Sequence, residues 1–354
     1  MNEWEKNFRS VTPYTPGEQP QRRDIIKLNT NENPYPPAPG VLALLKNLDG
    51  NLFRKYPDPD ASVLVSAIAE FYGVRENQIF CGVGSDDVLG MSFLTFFNGS
   101  SPVLFPDITY SFYDVWAGLF GIPFETPALD SGFHIRKEDY FRENGGIVIA
   151  NPNAPTGVAM PLSDIREIAE KNRESVIIID EAYVDFGGET ALPLVSEFKN
   201  LLVVRTFSKS RSMAGMRIGF AIGDENLIDA LKRVKYSYNS YTLNMPSILL
   251  GAESVKDRKY FEETVGKIVK TRERVKKELR EMGFVFGDSM TNFLFVKKPG
   301  TDAGKLFSAL KEAGIYVRYF DKPVLRDYLR ITVGTDEEMN RLLDFFRHAF
   351  SHGV

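Results

Sequence analysis

Three short polar clusters in this chain, each placed directly after an apolar run, carry residue types suited to covalent amine–carbonyl chemistry. The first lies in Val203–Phe220, V-V-R-T-F-S-K-S-R-S-M-A-G-M-R-I-G-F. The run Leu201–Val204 reads as a buried strand and empties into a turn bearing Thr206, Ser208 and Lys209, with Arg217 eight residues past the lysine. A lysine amine at a strand end can form a Schiff base with an aldehyde, while hydroxyls and a guanidinium fork hold a phosphate. An ordinary solvated loop would use the same residue types, so this stretch alone leaves both readings open. The second cluster, D-E-A-Y (Asp180–Tyr183), follows the run Val176–Ile179. The third, N-P-N-A-P-T-G (Asn151–Gly157), follows Ile147–Ala150.

The elements that would position these clusters form an alternation. Ile79–Val83, Pro102–Phe105, Ile147–Ala150, Val176–Ile179, Leu201–Val204 and Ile218–Ile222 read as strands. Between them lie helical patterns, among them Ala61–Tyr72 with Gly73 as its stop, Val88–Phe97 and Pro161–Lys171. This predicts an α/β domain with a mostly parallel sheet flanked by helices, whose ligands bind beyond the carboxyl ends of the strands. From about Pro246 the texture changes. A long charged helical region, Ser247–Met282, precedes strands at Phe293–Val296, Ile315–Val317 and Tyr328–Val333 and helices at Asp302–Ala313 and Asp336–Phe350. That is a second, smaller α+β unit. Residues 1–33, with prolines at 13, 16 and 20 and little periodicity, read as an arm without a packed element. The expected division is therefore arm 1–33, large domain 34–245 and small domain 246–354, with 34–48 free to pack on either.

Bulk properties exclude several classes. With 354 residues and a net charge of −4, there is no electrostatic case for nucleic acid or an anionic membrane. The single cysteine, Cys81, allows no intrachain disulfide and reads as a core residue. The three histidines, His134, His348 and His352, are scattered, so no metal site is expected. The polar amino terminus carries no signal core, and no stretch reaches membrane-spanning length, so the expected location is the cytoplasm.

Placed at three strand ends of one domain, the clusters supply the parts of a pyridoxal 5′-phosphate site. Asp180 is the carboxylate that pairs with a pyridinium nitrogen, and Lys209 the amine that carries the cofactor and later shuttles a proton. Tyr183 is the phenol for the ring O3′. Ser208, Arg217 and the strand–glycine–helix junction at Gly84, Ser85 and Asp86 are the anion donors, with Thr206 beside them. Tyr110, at another strand-to-helix junction, offers a flat ring to a planar cofactor, though it would serve equally as a core or surface tyrosine.

In its ordered motifs the chain resembles the fold-type I, class I/II pyridoxal phosphate aminotransferases, and within them those acting on histidinol phosphate. K-L-N-T-N-E-N-P, R-K-Y-P-D-P, G-S-D, P-D-I-T-Y-S-F-Y, N-P-N-A-P-T-G, D-E-A-Y, R-T-F-S-K, A-G-M-R-I-G-F, T-N-F and L-R-I-T-V-G-T follow in that family's order across nearly the whole length. The resemblance implies transamination between histidinol phosphate and 2-oxoglutarate in a homodimer. It implies that Tyr56 reaches a partner's cofactor phosphate, and that Arg330 and Arg318 bind the substrate's anionic groups. It also implies that Tyr14 closes over the substrate and that Asn31 and Asn292 lie near it. One position departs from the family pattern: Ala154 stands where an asparagine amide usually bonds O3′. Either Asn153 takes over that amide or Tyr183 holds O3′ alone, and the expectation leans to Asn153. Rival readings keep the scaffold with another substrate, as an aminotransferase of an aromatic amino acid or as a decarboxylase of threonine phosphate. A non-enzymatic ligand sensor is the remote alternative, and the chain has no segment for the DNA-binding domain such designs carry.

Overall fold

The computed structural model describes residues 2–22 and 24–351. His352 and the outer ends of the expected arm and small domain lie outside the described residues.

A first short strand, β1 (Ile26–Lys27), belongs to the small unit. The next seven build one sheet: β2 (Ile79–Gly82), β3 (Val103–Leu104), β4 (Phe124–Glu125), β5 (Gly146–Ala150), β6 (Ile177–Asp180), β7 (Leu201–Thr206) and β8 (Gly219–Gly223). Their order is β2-β8-β7-β6-β5-β3-β4. Only β8 runs against its neighbours; β7, β6, β5, β3 and β4 are mutually parallel. The apolar runs explain the burial on both faces. Ile147, Ile149, Ile177, Ile179, Leu201 and Val203 face one core, while Val148, Ile178, Leu202 and Val204 face the other.

Register brings the strand ends level. Ala150 pairs with Asp180, Asp180 with Val204, and Thr206 with Gly219. The helix after β2 spans Gly84–Phe96, beginning four residues before the expected Val88. Its first turn holds Asp86 and Asp87, and Asp87 accepts the Val83 N–H at 2.9 Å, which suits a positive helix end.

The expected long helix of Ser247–Met282 is two helices, Met245–Lys256 and Arg258–Glu281, broken at Asp257, whose carboxylate caps the second by accepting Tyr260 N–H at 3.0 Å. The packing changes sides at this break. Ile248, Leu250 and Val255 join the large core together with Val41 of the helix Pro39–Lys46, whereas Val275 and Leu279 join the small one.

The small unit holds β9 (Phe293–Val296), β10 (Ile315–Tyr316), β11 (Arg318–Tyr319) and β12 (Leu329–Thr332), in an antiparallel sheet β11-β12-β9 and a parallel pair β1-β10. The pair corrects the reading of the arm as unpacked. Ile26 and Leu28 are each 1% exposed and lie in the small core with Leu310 and Ile331. Two apolar residues at alternate positions are too short a signal, but β10 supplies the missing hydrogen bonds. The helix Glu225–Tyr238 and the two-residue strands β4 and β11 were likewise outside the sequence reading. Cys81 lies in β2, buried, and burial pushes its thiol up to about 12. No described helix is long and apolar enough to cross a membrane.

Candidate active site

A cavity of about 560 Å³ opens beyond the carboxyl ends of the parallel strands. Its wall includes Tyr14, Asn31, Ser85, Asp86, Tyr110, Asp180, Tyr183, Thr206, Ser208, Lys209, Arg217, Arg318 and Arg330. These thirteen positions come from the arm, the first turn of the helix Gly84–Phe96, the ends of β6 and β7, the loops of the large sheet and the small sheet. Lys209 follows β7, and its Nζ donates to the Thr30 carbonyl at 3.1 Å and sits 5.7 Å from the centre of the Tyr183 ring.

Asp180 ends β6 and is 5% exposed. Burial raises its carboxyl from 3.8 to about 6, against the lowering pull of the Tyr113 hydroxyl at 2.8 Å and the Ala182 N–H at 3.2 Å. Tyr113 was not singled out from the sequence. P-D-I-T-Y-S-F-Y offers two tyrosines, and only the fold shows that the second, fully buried, reaches the carboxylate. The first, Tyr110, lines the cavity and donates its hydroxyl to Asp86 at 2.7 Å.

An anion cup sits at one end. The helix Gly84–Phe96 points its first N–H groups towards the cavity through Ser85 and Asp86. Opposite lie the Thr206 and Ser208 hydroxyls, 2.9 Å apart, and Arg217, 3.4 Å from Ser208 Oγ and 3.0 Å from Asp86 Oδ2. Glycine is required on both sides of this junction. Gly84 has φ +82° and an added Cβ would lie 2.4 Å from Arg217 Nη2, while a Cβ on Gly219 would lie 2.3 Å from the backbone of Gly84 and Ser85.

The other end is cationic. Arg330 Nη2 donates to the Asn29 carbonyl at 3.0 Å, its Nε is buried with no hydrogen-bond partner among the described residues, and burial holds the guanidinium below its ordinary range. Arg318 donates to the carbonyls of Thr15 and Pro16, so it ties the arm down beside Tyr14, whose ring stacks on Phe112 at 4.2 Å.

Four expected residues are not in the wall: Gly84, which starts the helix behind Ser85, and three that lie elsewhere. Asn153 is 1% exposed and outside the cavity wall, where Ala154 and Pro155 stand instead. Its amide donates to Ile108 O at 2.8 Å and Thr156 Oγ1 at 3.1 Å, and its Oδ1 accepts from Thr109. The expected handover of the O3′ amide to Asn153 is therefore not what this geometry offers, because its donors are spent within the loop. Asn292 is fully buried behind Asn31 rather than in the wall. Tyr56 is 80% exposed and stacks on Tyr241 at 4.7 Å, away from this chain's cavity. Sequence reading also missed Arg205, which lies in β7 and forms a buried ion pair with Glu181 at 2.7 Å.

The sequence pattern described as aminotransferase class I and II matches residues 23–346. The chain belongs to the class I and II aminotransferases. It is 50% identical over 344 residues to the histidinol-phosphate aminotransferase of Lactococcus lactis subsp. cremoris, covering 97% of each chain. It is 51% identical to histidinol-phosphate aminotransferase 1 of Methylococcus capsulatus, covering 96% of each. Among solved structures it is similar to the histidinol-phosphate aminotransferase of Sinorhizobium meliloti in complex with pyridoxal-5′-phosphate. There the TM-score is 0.85 at 25% identity, over 94% of this chain and 93% of that one. The fold is thus that of a fold-type I aminotransferase.

The residues of this aminotransferase fit a pyridoxal phosphate. A buried carboxylate has no cation paired with it among the described residues, a lysine amine shares its cavity, and a helix start with two hydroxyls and an arginine converges on one anion-sized corner. Asp180, Lys209, Tyr183 and the Ser85, Ser208 and Arg217 cup would hold it.

Proposed function

We propose that this chain transfers the amino group of histidinol phosphate to 2-oxoglutarate by a ping-pong cycle. The products are imidazole-acetol phosphate and glutamate, in cytoplasmic histidine biosynthesis. The observation that carries the substrate assignment is the identity of about half the residues to the Lactococcus and Methylococcus enzymes across nearly the whole chain. It is supported by two cavity arginines at the end opposite the anion cup, Arg330 and Arg318, which suit carboxylate and phosphate oxygens alike.

When bound, pyridoxal phosphate supplies an aldehyde that takes up the substrate amine and a ring that spreads negative charge from its Cα. A pyridinium cation would hold Asp180 ionised, offsetting the burial that otherwise raises it to about 6. Tyr113 and the Ala182 N–H fix both carboxylate oxygens, so the charge is aimed rather than mobile. Lys209 would hold the cofactor's aldehyde through its amine, and the same amine is the base that would move the proton at the substrate Cα. The Arg330 Nε and Nη donors orient the substrate's carboxylate or phosphate. Tyr14 and its Phe112 stack cover the opening.

We further propose a homodimer in which Tyr56 serves the partner's phosphate cup. The exposure of Tyr56 and Tyr241, stacked on one another beyond the cavity, supports this. The test is a comparison of kcat/KM for histidinol phosphate and phenylalanine with 2-oxoglutarate as acceptor, and for threonine phosphate by release of carbon dioxide. The reading expects histidinol phosphate to lead by at least about a hundredfold; parity with phenylalanine would overturn the substrate assignment.

A further inference from the structure

The segment Asn29–Asn31 crosses between the two domains and is gripped from both. Its three consecutive carbonyls accept, in order, from Arg330 Nη2 at 3.0 Å, Lys209 Nζ at 3.1 Å and Asn292 Nδ2 at 3.0 Å. The first and third donors belong to the small unit and the second to the large one. Asn31, 1% exposed, adopts φ 57°, a left-handed conformation that asparagine tolerates better than most side chains.

That conformation turns the Asn31 side chain between two hydroxyls. The Asn31 N–H donates to Thr332 Oγ1 at 3.0 Å, and Thr332 Oγ1 donates to Asn31 Oδ1 at 3.1 Å. A hydroxyl that accepts the backbone N–H sends its single hydrogen to the side-chain oxygen, so the amide has one orientation: Oδ1 towards Thr332 and Nδ2 towards Tyr183. Nδ2 then donates to the Tyr183 phenol at 2.9 Å. A phenol oxygen has one hydrogen. Because it accepts here, its O–H is directed away from Asn31, on the side where Tyr183 lines the cavity.

We propose that Thr332 and Asn31 form a polarity relay that fixes Tyr183 as a hydrogen-bond donor into the cavity, with Asn31 a positioning residue rather than a substrate contact. The need is specific to this wall. Ala154 contributes no amide, and Asn153 has spent its donors on Ile108 and Thr156, so Tyr183 is the side chain left to donate to the cofactor's ring oxygen. Thr332 lies two residues from Arg330 on β12, so the element that binds the substrate anion also sets the phenol. The relay rests on the role of Tyr183 proposed above.

The test is a double-mutant cycle read as the dissociation constant for pyridoxal phosphate, measured by titrating cofactor-stripped protein and following absorbance. Asn31→Asp keeps the shape but presents an acceptor to Tyr183, drawing the phenol hydrogen away from the cavity. Thr332→Val removes the hydroxyl that orients the amide, and Thr332→Ser restores it. Tyr183→Phe is expected to weaken binding about fivefold, which is about 1 kcal/mol at about 1.4 kcal/mol per tenfold. Asn31→Asp and Thr332→Val are expected to weaken it about three- to fivefold, with the same change in the ratio of the bound cofactor's absorbance bands, and Thr332→Ser to match the parent. In the Tyr183→Phe background both changes should have no further effect. Factors that multiply to about 15-fold or more, or single variants within twofold of the parent, overturn the relay. Absence of any bound-cofactor band in the parent protein would instead strike at the site assignment beneath it.

Discussion

Replacing Asp180 by asparagine separates what this residue costs the empty fold from what it gives the cofactor. The carboxyl is buried and its pKa rises from 3.8 to about 6, with burial the leading cause. Below about pH 4 it is protonated in folded and unfolded chains alike, and burial costs nothing extra. Between 3.8 and about 6 the folded chain keeps the proton that the unfolded chain has released, so folded stability falls as pH rises. Above about pH 6 the full penalty is present. At about 1.4 kcal/mol for each pH decade it amounts to about 3 kcal/mol. Asparagine carries no charge, and it can keep both contacts by accepting from the Ala182 N–H and donating to the Tyr113 oxygen. Cofactor-stripped Asp180→Asn should therefore be more stable than the parent by about 1–3 kcal/mol at pH 7–8, and equal to it near pH 4. Urea unfolding across that pH range is the assay. With excess pyridoxal phosphate the order should reverse, since the parent gains about 2.7 kcal/mol at a hundredfold excess over its dissociation constant and the variant little. A stripped variant less stable than the parent at pH 8 would refute the reasoning, because burial would then not be what perturbs Asp180.

Lys209→Ala should lose turnover completely in a steady-state assay, while the cofactor-stripped variant stays within about 1 kcal/mol of the stripped parent in urea, since Lys209 Nζ makes one backbone hydrogen bond, to Thr30. Arg330→Lys removes a buried fork donor and should lower kcat/KM for the amino donor by about 10- to 100-fold, mostly through KM in initial-rate measurements. Gly219→Ala would force a Cβ within 2.3 Å of the Gly84 and Ser85 backbone. It should cost about 1–3 kcal/mol in thermal unfolding and weaken pyridoxal phosphate retention on dialysis, because the helix start must shift.

Lys209 and Asp180 were legible in the sequence because each follows an apolar run, and the parallel register of β6 and β7 turns that sequence position into one place in space, while Arg217 stood out only by its spacing from Lys209 ahead of the antiparallel β8. What escaped depended on partners remote in sequence. Tyr113 meets Asp180 across 67 residues, Glu181 pairs with Arg205 on the neighbouring strand, and Ile26 lies in register with Ile315. None of these leaves a local period or spacing. Asn153 shows a different limit. Its position beside the expected amide was readable, but where its donors point is decided by the Ile108 carbonyl and the Thr156 hydroxyl. The break at Asp257 was concealed because charged helical periodicity continues on both sides, while the buried faces belong to different cores.

The most direct test of the whole account is the visible spectrum of the purified protein with pyridoxal phosphate, recorded after adding histidinol phosphate and then 2-oxoglutarate. The account expects the lysine-bound cofactor band to convert to the amine form with the first addition and to return with the second. A band that ignores histidinol phosphate would contradict the proposed substrate, and the absence of any band would contradict the assignment of Lys209.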